Sequence, residues 1–141
     1  MPLIFYAPGK QLDLVSEDQV TQQVDILPTV IDLVAGHEAG SAISRARFGS
    51  SLVAKEAKRI AHVYGDDSHW LVKGSHALRW SVATNAFSAS DWLADPLAEK
   101  NVELPAAEYQ DLESELKARL TYYTLGMRLG RLNWPPEGLS N

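Results

Sequence analysis

At 141 residues, with 45% apolar and 22% charged side chains, the chain fits one domain or one large subdomain and is no disordered tail. Its 18 acidic against 13 basic residues give a net charge of −5, which offers no electrostatic footprint for nucleic acid or an anionic lipid surface. The lack of cysteine excludes disulfides, thiolate metal sites and a cysteine nucleophile without identifying a compartment.

The chain opens on Pro2-Leu3-Ile4-Phe5-Tyr6-Ala7-Pro8-Gly9, a short unbroken apolar run closed by Pro-Gly. That pattern predicts a strand buried on both faces, which needs neighbours for its backbone groups. A polar, turn-like stretch leads to a helix beginning near Asp25, with Asp25 as N-cap and Pro28 tolerated in the first turn. Leu27, Val30, Ile31 and Val34 fall on one face, with Ile26 and Leu33 adding apolar surface elsewhere, so this helix is expected to be buried over much of its circumference. Gly36 suits its C-terminal cap, and residues 36–44 read as a loop.

After a loop or short helical turn over residues 54–59, Ile60-Ala61-His62-Val63-Tyr64 reads as a strand ended by Gly65-Asp66-Asp67-Ser68. Strands over residues 69–73 and 76–83 follow, joined by Gly74-Ser75 as a tight hairpin turn, and a fourth short strand is placed around residues 86–92. The set predicts an antiparallel meander with Trp70, Leu78, Trp80 and Val82 packing. From Pro105 the pattern is one long helix with Leu112, Leu116, Leu120, Tyr123 and Met127 on one face, acidic residues early and Arg128 and Arg131 late, terminated by Pro135-Pro136. Gly126 and Gly130 are poor helix formers that loosen its end or allow close packing. The predicted class is α/β, in the sense of an α+β fragment. A buried strand and helix from a larger α/β sheet (residues 1–55) precede a small antiparallel sheet of about four strands packed by a C-terminal helix (residues 56–141).

Four segments, in order, resemble the sulfatase and alkaline phosphatase superfamily, most closely its lipoteichoic acid synthase and phosphoglycerol transferase branch. The opening strand and turn look like the family's "PLIFYAPG", and residues 16–29, ending Asp25-Ile26-Leu27-Pro28-Thr29, look like its "vsqvDilPT". Phe48-Gly49-Ser50-Ser51-Leu52 is similar to the "fGrSL" loop, with Ser50 in place of the usual basic residue. Residues 90–102 resemble "lYDLxxDPxExxNL", from which Trp92-Leu93-Ala94 departs. The resemblance covers nearly the whole chain and implies a C-terminal third of such an enzyme. The family's nucleophile and its Asp/His metal ligands lie before the opening strand, so none is carried onto a residue here. A divalent metal (Mn, Mg, Ca or Zn) is implied only for a full-length parent.

The residues that could bear chemistry have strong bland readings. His62, His69 and His76 recur every seven residues; on successive strands they could meet across a hairpin, but without a carboxylate or a further histidine at ligand spacing they read as exposed or singly hydrogen-bonded. His37 in its loop is weaker still. Asp66-Asp67-Ser68 lacks the further oxygens calcium needs and reads as a turn, Asp25 reads as a helix cap, and Ser50-Ser51 reads as a loop without a nucleophile's partners. Trp70, Trp80, Trp92, Trp134, Tyr122 and Tyr123 are read as packing anchors.

No catalytic, cofactor or metal residue is therefore assigned. The expected role is scaffold, with some contribution to a pocket rim, and the expected partner is an upstream sulfatase-like half. The alternative is a stand-alone interaction module that associates, as a homo-oligomer or with another chain, through its N-terminal strand. No run approaches the ~20 apolar residues that span a bilayer, and no signal peptide opens the chain. Alone it reads as unexported; within the full-length family architecture it would lie outside the cytoplasmic membrane.

Overall fold

The structure is a computed structural model that describes residues 20–35, 49–53 and 59–130. Among the described residues it is a mixed α+β arrangement: a four-stranded antiparallel sheet and two α-helices, the long C-terminal one packed on the sheet. The chain divides into two compact units that part between Val53 and Arg59, with Val20–Gln22 grouped with the second. The opening strand, the Gly36 cap and its loop, residues 54–58, Trp134 and Pro135-Pro136 lie outside the described residues.

In the first unit a 3-10 turn over Gln23–Asp25 runs directly into α1, Ile26–Ala35. Its burial corrects the expectation drawn from the apolar stripe. The sheltered side of α1 carries Pro28, Thr29 and Asp32, whereas Leu27 is 62% and Val34 83% exposed, with Val30 exposed between them. Thr29 takes the inner side because its hydroxyl is engaged by a neighbouring loop, as described below.

The second unit is a meander of β1 (Ile60–Gly65), β2 (Ser68–Lys73), β3 (His76–Ser81) and β4 (Ala86–Asp91), paired in sequence order. Each connection has its own turn chemistry. Asp66 and Asp67 both adopt positive φ (50° and 51°), as a two-residue type I′ turn demands and as Asp tolerates better than most residues. Gly74, at φ 58°, takes the first central position of the next turn, where a side chain would be strained. Val82 falls in the third connection, not in a strand, and is exposed, which corrects its assignment to the packing set.

Register places residues in rows across the sheet. Ile60, Leu71, Leu78 and Ala89 lie on the face that meets α2, Ala106–Arg128, where they cluster with Leu112 and Leu116. Leu71, Leu78 and Leu116 are fully buried, each worth roughly 1.5–3 kcal/mol relative to exposure. Trp70 stands on the opposite face, one residue out of phase with Leu71. There the Arg79 guanidinium lies over its ring, 5.2 Å from the centroid, and Arg79 Nε donates to Ser68 Oγ at 3.0 Å.

Between β4 and α2 the segment containing Asp91 and Asp95 is held by those two carboxylates. Asp91 Oδ1 accepts from the amides of Leu93 and Ala94, and Asp95 Oδ2 accepts from Lys100 N–H at 2.7 Å. Val102 N–H then donates to Ala89 O, extending cover along the outer edge of β4. Helix α2 begins after Pro105 and ends at Arg128, well before the prolines expected to stop it. Gly130, in the left-handed region at φ 64°, supplies the stop, with Leu129 N–H bonded to Leu125 O and Gly130 N–H to Met127 O. The apolar stripe of α2 is buried only in its first half; Met127 is 66% exposed.

Candidate functional site

Two constellations stand out. In the first unit, the Asp25-to-Thr29 segment grips residues 49–52. Ser50 N–H donates to Asp25 Oδ1 at 2.7 Å, and Leu52 N–H donates to Thr29 Oγ1 at 2.9 Å. Thr29 in turn donates its hydroxyl hydrogen to the Asp25 carbonyl at 2.5 Å, so one buried hydroxyl serves as donor and acceptor at once. The Asp25 carboxylate, expected at the helix cap, thus reaches across to a loop amide 25 residues away. Gly49 is required for the approach: a Cβ there would fall 2.0 Å from Val24 O. Ser51 Oγ is occupied within the loop, accepting from Val53 N–H at 3.3 Å, in keeping with a loop role for this pair of serines. The charge-assisted bond and the buried hydroxyl make this a structural clamp between two sequence motifs.

The second constellation lies on the helix-facing side of the sheet. Tyr64, His69, Trp80 and Phe87 are direct cross-strand partners and form a row of rings spanning all four strands, with centroid separations of 4.7, 5.7 and 6.4 Å. His62 sits diagonal to His69 on the same face, and its Nε2 lies 3.2 Å from His69 Nδ1. Across from it, α2 presents Tyr123, 5.5 Å from His62 between ring centroids. Burial first, then the charges of His69 and Arg119, push the His62 pKa from 6.5 down to about 4. Burial also lowers that of His69, and raises that of Tyr123 against the opposing pull of Arg119. The imidazole pair is therefore neutral at pH 7.

His62 and His69, expected as exposed or singly hydrogen-bonded histidines able to meet across a hairpin, are half-buried and hydrogen-bonded to each other. His76 stays apart from them: its Nδ1 lies 2.6 Å from Glu108 Oε1 on α2, beside an ion pair of Lys73 with Asp111. His37 lies outside the described residues. Asp66 and Asp67 form the turn expected of them, with Ser68 Oγ donating to Asp66 O and the Tyr64 hydroxyl to Asp67 Oδ1. Trp92 anchors the second hairpin turn by donating from Nε1 to Gly74 O at 2.8 Å. Among the described residues, no group of three or more His, Asp or Glu side chains is arranged to hold a metal ion. None of the described helices is long and apolar enough to cross a membrane.

Comparison of the chain with protein-family models, with curated proteins and with solved structures finds no match.

Proposed function

We propose that this chain is the C-terminal, non-catalytic segment of a sulfatase-like, metal-dependent enzyme, either a phosphoglycerol or phosphoethanolamine transferase or a sulfate or phosphate ester hydrolase. Its work is scaffolding, with some contribution to the rim of the substrate pocket. The observation that carries the reading is the clamp. The Asp25-Ile26-Leu27-Pro28-Thr29 and Gly49-Ser50-Ser51-Leu52 motifs, two of the four segments in the family resemblance, are hydrogen-bonded to each other through their most distinctive residues. The outward face of α1, with Leu27, Val30 and Val34, supports it further, because a helix taken from a larger sheet-and-helix layer keeps an apolar side for its neighbours. In such enzymes a divalent metal activates the nucleophile and clamps the ester oxygens. The family resemblance implies that the ligands for that ion lie before the opening strand, in the preceding part of the enzyme.

The coding region before residue 1 is expected to specify a nucleophile motif and an Asp-His pair; an unrelated or absent reading frame would overturn the proposal. The purified chain, supplied with Mn, Mg, Ca or Zn, is expected to leave aryl phosphate and aryl sulfate esters intact, and metal-dependent turnover by it would refute the scaffold role. The exposed face of α1 also favours a second reading, a stand-alone interaction module, whose mark would be a stable dimer by size exclusion with light scattering.

A further inference from the structure

The geometry points to His62 and His69 as a two-imidazole site for a divalent transition ion of borderline hardness, Zn(II), Ni(II) or Cu(II), with its remaining coordination positions open to water or an incoming oxygen ligand. The inference is independent of the function proposed above. It begins with register. The two-residue turn at Asp66-Asp67 sets Tyr64 opposite His69 and His62 opposite Leu71, which makes the two histidines diagonal neighbours on one face. Their facing nitrogens, Nε2 of His62 and Nδ1 of His69, are 3.2 Å apart. Two Zn–N bonds of about 2.05 Å at the tetrahedral angle would separate their nitrogens by about 3.3 Å, which matches the observed spacing once the rings turn their lone pairs toward a shared point.

The rings are held in place. His69 is flanked by Tyr64 at 4.7 Å and Trp80 at 5.7 Å, and His62 is backed by Tyr123 from α2. A donor pair fixed by packing loses less freedom on binding than two mobile surface histidines. Without metal, one ring N–H bridges the pair; an ion on both facing nitrogens requires that hydrogen to be carried on the far nitrogen of its own ring. The nearby cation, Arg119, is paired with Glu115 at 2.8 Å, and the chain as a whole carries −5. His76 is engaged by Glu108 and does not join the set.

The test is isothermal titration of the tag-free full chain with Zn(II) and Ni(II) after chelator treatment, at pH 7.5. One ion per chain is expected, with no response to Mg(II). His62→Gln or His69→Gln should weaken binding by more than about tenfold, a scale that even outer-shell changes reach at metal sites. His76→Gln and His37→Gln should leave it unchanged. If His62→Gln loses its native circular dichroism, His69→Gln, at the less enclosed ring, carries the test. No saturable binding up to about 1 mM ion, or binding that survives in His69→Gln and is lost in His37→Gln, would overturn the assignment.

Discussion

Replacing Gly49 by alanine is expected to open the clamp of the first unit. An ideal Cβ at this position falls 2.0 Å from Val24 O, 2.4 Å from Val24 C and 2.9 Å from Asp25 N, all backbone atoms that cannot swing aside. Ordinary C···O contacts begin near ~3.3 Å, so the two segments must separate by more than ~1 Å. A shift of that size breaks the bonds from Ser50 N–H to the Asp25 carboxylate and from Leu52 N–H to Thr29. A bond to a charged acceptor contributes about 1.5–3 kcal/mol and a neutral one about 1 kcal/mol. Their joint loss is about 3 kcal/mol, or about 100-fold in the local opening constant. Amide hydrogen exchange measures this directly. Protection at Ser50 and Leu52 should fall about 100-fold, with the amides of Leu71 and Leu78 in the sheet serving as the reference for global unfolding. Asp25→Asn, which keeps the shape and removes the charge, should cost about half as much in free energy. Protection at Ser50 and Leu52 within about threefold of the wild type in Gly49→Ala would refute the claim that this glycine admits the approach.

Two further outcomes probe the second unit. Leu116→Ala, at a fully buried position between α2 and the sheet, should destabilise it by about 2–5 kcal/mol in urea unfolding, whereas Met127→Ala at the exposed end of the same stripe should stay within about 0.5 kcal/mol. The imidazole pair should make stability fall with acid. Unfolded histidine takes its proton near pH 6.5, while His62 in the fold takes one only near pH 4, so between these values the unfolded state binds more protons and stability is lost as pH drops. The lowered pKa of His69 acts in the same direction, and above pH 7 the contribution is flat. The groups facing the pair are Tyr64, Tyr123 and the Arg119–Glu115 ion pair. In chelator-containing buffer, the urea midpoint of His62→Gln should therefore fall less between pH 7 and pH 5 than that of the wild type; equal slopes would refute the assignment.

Much of the sheet was legible in the residues themselves. Gly65-Asp66-Asp67-Ser68 and Gly74-Ser75 mark turns by backbone chemistry that is local, and local chemistry survives in any tertiary setting. The early heptad-like spacing of Leu112 and Leu116 likewise specified a helix and its buried side. The diagonal meeting of His62 with His69 was encoded too, but only for a reader who fixes the first turn at two residues, because a one-residue slip in register sends one of them to the opposite face. Burial of α1 was misread for a related reason. Periodicity reports which residues share a side, while the choice of side depends on what arrives there.

The sequence by itself determined the strand and helix types, the turns that join them and the residues able to accept or donate at each position. Tertiary structure alone decided that Asp25 and Thr29 hold, through two hydrogen bonds, a loop over twenty residues away. The reason is physical: turn and helix propensities act over a few neighbouring residues, whereas these contacts depend on packing that brings distant segments within hydrogen-bonding reach.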